Sequence, residues 1–207
     1  MALALAALIV LAACGGEESG PTSTKADTAS SASTVGPPSS SSSTVVEQEW
    51  VKLTDASGLT FSLSQQVEPL ETTKPYPVGG PLHLRVYQTK RDAVGLTVTV
   101  ADGKDFSEYN SRVVYQGIAQ GLTASGAQNV DLRHVRRITA DAGHGVQATL
   151  SFTATDGSTN YWRMATLTDG SVLVNVQALT FVPRLDANSR GLVNDTFDKM
   201  VTSLDFP

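Results

Sequence analysis

Val146-Gln147-Ala148-Thr149-Leu150-Ser151-Phe152-Thr153 alternates apolar and polar side chains, the period of a strand with one buried face. Asp156-Gly157 follows, then Asn160 to Thr168, then Asp169-Gly170, and then Val172, Val174, Val176 and Ala178 at the same spacing. Asp-Gly between alternating runs is a strong hairpin signal, because the tight turns that match strand twist need a positive φ that glycine takes without steric cost. The stretch is therefore expected to fold as an antiparallel three-stranded meander, with a further strand entering it from Arg133 through Val135 and Ile138.

Towards the N-terminus the same reasoning gives two hairpins. Trp50, Val51 and Leu53 lead into Asp55-Ala56-Ser57-Gly58, and Leu59, Phe61 and Leu63 alternate beyond it. Leu82, Leu84 and Val86 alternate with His83, Arg85 and Tyr87, turn at Lys90-Arg91-Asp92, and continue as Val94, Leu96, Val98 and Val100. The opposite face of that last strand, Gly95, Thr97 and Thr99, is small enough to admit a helix or a ligand closely. Between the hairpins, Pro69 to Pro81 reads as a long loop of the kind that often carries function.

Two helices complete the pattern. Asp105 followed by Glu108 has the form of a capping box, and Phe106, Tyr109, Val113, Val114, Ile118 and Leu122 recur at helical spacing, so a helix is expected over 106–122, ended by Gly121 and Gly126. Pro183 closes the last strand, and Leu192, Val193, Phe197, Met200, Val201 and Leu204 stripe a helix over 188–203. Runs of strands punctuated by two helices imply an α+β domain, an antiparallel sheet flanked by helices.

Leu11-Ala12-Ala13-Cys14 closes a small and apolar run that begins at Ala2. It resembles the lipobox of bacterial lipoproteins, in which the cysteine receives a diacylglyceryl group and becomes the mature N-terminus. That resemblance implies a signal peptide over 1–13, lipidation of Cys14, and a chain held at the extracytoplasmic face of the cell membrane. No Lys or Arg precedes Lys25, whereas a secretory leader normally opens with positive charge, so Met1 is expected to lie downstream of the natural start. The apolar run falls short of the ~20 residues that span a bilayer. Cys14 is the only cysteine, which excludes an internal disulfide.

Residues 14–46 comprise Cys14 and a stretch rich in Ser, Thr, Pro, Gly and Ala that has no aromatic residue, and they are expected to form a disordered tether with a root-mean-square span of about 30 Å. The domain then occupies 47–207. The net charge is -5, of which Glu17, Glu18, Asp27 and Lys25 account for -2, leaving -3 for the rest. A mildly acidic domain has no electrostatic footprint for nucleic acid. The basic run Arg133-His134-Val135-Arg136-Arg137 reads either as a surface for an anionic partner such as a lipid headgroup or as a charged edge strand that resists further pairing.

The order of elements, Cys14, the Ser-rich tether and the Leu204-Asp205-Phe206 ending, with Trp50, Phe61, Tyr109 and Trp162, resemble the actinobacterial LpqN/LpqT-type lipoproteins, whose domain is similar to the PsbP and Mog1 proteins. The resemblance implies an α/β/α sandwich acting as a non-enzymatic binding or accessory module, with an envelope protein complex or a glycolipid as partner. Beyond Cys14 it carries over no site residue.

Signatures of chemistry are sparse. His83, His134 and His144 stand apart with no cysteine beside them, so neither a metal nor a cofactor is expected. Gly121 to Gly126 lacks the G-x-S-x-G spacing of a hydrolase elbow, and Gly79-Gly80 lacks the lysine of a phosphate loop. Asp92, Asp102, Asp156 and Asp169 fall in turns, where Asp serves local hydrogen bonding, although a pair of carboxylates meeting in space stays open from sequence alone. The candidate binding residues are Arg85 and Tyr87 on one strand and Tyr161 and Arg163 on another, types that stack on sugars or anchor interfaces. Packing beneath a helix is the competing role for them. Besides the envelope binding module, a lipid or glycolipid carrier and an envelope hydrolase are the alternatives.

Overall fold

A computed structural model describes residues 49–74, 81–182 and 184–207. The expected signal peptide, Cys14 and the expected tether therefore lie outside the described residues, as do 75–80 of the expected loop and Pro183. Among the described residues, nine strands form a two-stranded and a seven-stranded sheet: β1 (Val51–Thr54) with β2 (Thr60–Leu63), and β3 (Leu70–Lys74), β4 (Leu82–Arg91), β5 (Val94–Ala101), β6 (Gln128–Ala140), β7 (Gly143–Thr153), β8 (Thr159–Thr168) and β9 (Leu173–Val182). The helices are α1 (Ser111–Ala124) and α2 (Ala187–Thr202).

All pairings are antiparallel, in the order β3-β4-β5-β9-β8-β7-β6. The fold is α+β, as the alternation predicts. Gly157 at φ 84° and Gly170 at φ 101° make the Asp-Gly turns on either side of β8. The sequence leaves unspecified how the two halves join, and β9 does this by pairing with β5, Val98 opposite Val176. As a central strand it is buried on both faces, with Val174, Val176 and Ala178 on one side and Asn175, Gln177 and Leu179 on the other.

The first face of the sheet carries the larger core. Leu96, Val98, Val174, Val176 and Leu167 meet Val193, Phe197 and Met200 of α2, while Leu53, Phe61 and Leu63 of the β1–β2 hairpin complete the cluster. Each such side chain taken out of water contributes about 1.5–3 kcal/mol. On the second face, Val114, Tyr115, Ile118 and Leu122 of α1 pack on Leu150, Phe152, Trp162 and Met164. The helices thus cover opposite faces of one sheet, in three layers.

Three boundaries differ from the sequence reading. Leu70–Lys74, expected within a loop, is an edge strand: it is mostly exposed and has no apolar alternation to reveal it, because β4 supplies its pairing. The helix expected from Phe106 starts at Ser111. Asp105 Oδ1 accepts from Ser107 N at 2.9 Å in a local turn, Phe106 is buried in a separate cluster with Leu82, Leu84 and Leu173, and Asn110 is the N-cap. Past Ala124, Ala127 N donates to Leu122 O and Gly126 N to Thr123 O, with Gly126 at φ 93°, a left-handed helix stop. Finally, β6 begins at Gln128 rather than Arg133, and its early residues are polar because it is the other edge. That placement agrees with the edge-strand reading of the basic run.

Candidate functional site

Helix α2 packs on β9 and β8, and the polar first-face residues of β7 and β6 extend beyond it. A groove results between α2 and the bulged edge strand, with a cavity of about 270 Å³ lined by His134, Arg136, Gln147, Thr149, Tyr161, Arg163 and Asn194. Strand register explains its floor. Arg163 sits opposite Thr149, which sits opposite Arg133, and one row along Ala165, Gln147 and Arg136 align. Alternation puts Tyr161 and Arg163 on this face and Trp162 on the other, where its ring meets Phe152 edge-on at 5.4 Å.

Arg163 is held from several sides. Nη1 donates to Asn194 Oδ1 at 3.0 Å, Nη2 donates to Gln147 Oε1 at 3.0 Å and reaches Asp198 Oδ1 at 3.4 Å, and Cζ lies 4.4 Å from the centre of the Phe197 ring. Tyr161 Oη donates to the same Asn194 oxygen at 3.2 Å, and Arg190 lies over the Tyr161 ring at 5.7 Å. The Arg163 side chain is 13% exposed and Asp198 is 65% exposed, so the one nearby carboxylate is a solvated partner at long range.

Arg85 and Tyr87 lie elsewhere on the same face, in a buried network. Arg85 grips Asp55 in a fork, Nε to Oδ2 at 2.7 Å and Nη2 to Oδ1 at 2.7 Å, and Nη2 also reaches Asp102 Oδ2 at 2.7 Å. Tyr87 Oη donates to Asp55 Oδ2 at 2.7 Å, and Ser57 N donates to Oδ1 at 2.8 Å. Burial by itself would push the Asp55 carboxyl up, yet the donors from Arg85, Ser57 and Tyr87 outweigh it and hold the group at about 2. The Asp55 bond raises Arg85 above its ordinary value against desolvation, and burial followed by the hydrogen bond to Asp55 raises Tyr87. This network locks the β1–β2 turn onto the sheet, a packing role. The four residues singled out from the sequence therefore separate into an internal pair and a pair at a groove.

The groove also uses residues the sequence reading did not single out as ligands. His134 and Arg136 belong to the basic run, but Asn194 sits on the polar side of a helix with no signal to mark it, and Gln147 and Thr149 read as ordinary outward positions of a strand. A second cavity of about 580 Å³ opens on the other face at the start of α1, bordered by Glu108, Tyr109, Arg137, His144 and Thr168. Gly95, Thr97 and Thr99 line neither cavity; a Cβ at Gly95 would meet Leu179 at 3.6 Å, so a neighbouring strand occupies that space. Among the described residues, no three His, Cys, Asp or Glu side chains gather as metal ligands, and no helix is long and apolar enough to cross a membrane.

No protein-family model and no curated protein matches the sequence. Among solved structures, the chain is similar to the solution structure of cyanobacterial PsbP (CyanoP) from Synechocystis sp. PCC 6803. The identity is 13% and the TM-score 0.47, over 79% of this chain and 96% of that one. No residue of the groove is assigned through that likeness.

Proposed function

We propose that the chain is a cell-envelope lipoprotein, held on the extracytoplasmic face of the cell membrane by acyl chains on Cys14, in the manner of the actinobacterial LpqN/LpqT-type lipoproteins. Its domain acts as a non-enzymatic binding or accessory module for another envelope component. The groove beside α2 carries the reading: an arginine immobilised by two amides, next to a tyrosine, over a floor of polar side chains. Rigid groups of this kind bind with little loss of side-chain freedom. Leu11-Ala12-Ala13-Cys14 supports the anchor.

The test is photo-cross-linking in the source bacterium. A photoreactive residue replacing Thr149, in the groove, is expected to yield a discrete adduct with an envelope component, and one replacing Arg137, on the opposite face, is expected to yield none. Equal labelling from both positions, or none from Thr149, would refute the groove as the binding surface.

A further inference from the structure

The hydrogen bonds of the groove have a definite polarity. Arg163 and Tyr161 both donate to Asn194 Oδ1, and Arg163 donates to Gln147 Oε1. The acceptor ends of both amides are thereby engaged within the protein, which leaves each residue's NH2, with two donors, as its contribution to the lining. Thr149 adds a hydroxyl, and Arg136 and His134 add the outer wall. No carboxylate lines the cavity.

The bulge in β6 aims Arg136. Arg133 pairs with Thr149 and Arg136 with Gln147, so three steps on β6 span two on β7, with His134 at φ 52° as the extra residue. Strict alternation would send residues 133 and 136 to opposite faces; the bulge brings both to the groove face. Arg133 is already paired with Asp131 at 2.6 Å, whereas Arg136 has no carboxylate partner among the described residues. Arg136 and Arg163 thus flank β7, two strand spacings apart across the sheet and two residues apart along it, about 12 Å between backbones. Two guanidinium groups with amide donors between them match an anion with several acceptor oxygens.

Resting on the binding reading above, we infer that this pocket takes the phosphate group of a phosphate ester, whether a soluble ester or an exposed phospholipid headgroup. Its volume of about 270 Å³ suits a headgroup.

The test uses the full chain carrying Cys14→Ala, titrated calorimetrically with glycerol 3-phosphate, and sedimented with vesicles of phosphatidylcholine alone or mixed with phosphatidylglycerol. Vesicles of phosphatidylcholine alone, whose phosphate is offset by its own choline cation, measure the contribution of the apolar N-terminus without a net anionic headgroup. Asn194→Asp keeps the oxygen that Arg163 and Tyr161 use but replaces the donor with negative charge, so it preserves folding and abolishes phosphate binding. Arg136→Gln weakens binding about tenfold or more, as expected for a charged hydrogen bond. Arg137→Gln, the same charge on the opposite face, leaves it unchanged.

Glycerol 3-phosphate binding with this variant pattern assigns a soluble ester. An increment confined to phosphatidylglycerol vesicles, with the same pattern, assigns a headgroup. Binding of neither probe, or equal losses in Arg136→Gln and Arg137→Gln, overturns the phosphate site. If the Thr149 adduct persists in that event, the binding reading stands alone; if it is absent too, both fall.

Discussion

Asp55 shows how far a single residue can depart from its reading in sequence. Asp-Ala-Ser-Gly announces a turn, and a turn is present, with Gly58 at φ 92°. Nothing local reveals that the carboxylate is fully buried against Arg85, thirty residues on, because such pairing depends on tertiary approach. Removing Asp55 leaves Arg85 only the partly exposed Asp102 and takes the acceptor from the Tyr87 hydroxyl, so Asp55→Ala is expected to lower stability by about 3 kcal/mol, read as a fall in urea midpoint at constant m-value. The pH dependence has a definite sign. The folded value of about 2 lies below the ordinary 3.8, so the stabilisation is present above about pH 4 and is lost as pH falls through 2. Asp55→Asn should flatten that acid limb of the stability profile. Gly145 makes a steric prediction instead: a Cβ there would overlap the Thr166 carbonyl, which is backbone and cannot yield. Gly145→Ala should cost about 2–3 kcal/mol by the same urea measurement.

Elements were legible where two signals coincided. Alternation together with Asp-Gly located β7, β8 and β9, and an apolar stripe at helical spacing located α2, which starts one residue before the expected position. Signals at element boundaries were less dependable. Asp105 and Glu108 satisfy the spacing of a capping box, but the cap that forms is Asn110, and β3 is invisible because its exposed residues have no apolar pattern. The candidate site was half legible. Tyr161 and Arg163 belong to a strand whose alternation placed them together, while Asn194 reaches them from a helix whose docking no local pattern encodes. The two N-caps differ in geometry: Asp186 Oδ1 accepts from Ser189 N at 2.8 Å, and Asn110 Oδ1 from Val113 N at 3.4 Å. Helix α2 also closes the larger core. Asp186→Ala is therefore expected to lower the melting temperature more than Asn110→Ala, by differential scanning calorimetry.

At the scale of the whole molecule, the chain's last residues knit the first face together. Asp205 bridges to Thr60, Phe206 N donates to Asp141 Oδ2 at 2.9 Å, and the Phe206 ring lies against Gly143. The groove opens between α2 and the β6 edge, and on the proposed function it presents phosphate-binding groups at the end of a segment anchored through Cys14. Native mass spectrometry of the full-length chain, extracted in mild detergent from the membranes of its source cells, tests the proposed anchoring and binding together. The expected result is a chain beginning at Cys14 with a diacylglyceryl group attached, carrying a bound envelope component that Asn194→Asp removes. A chain that retains residues 1–13, carries no acyl mass and is recovered from the soluble fraction would contradict it.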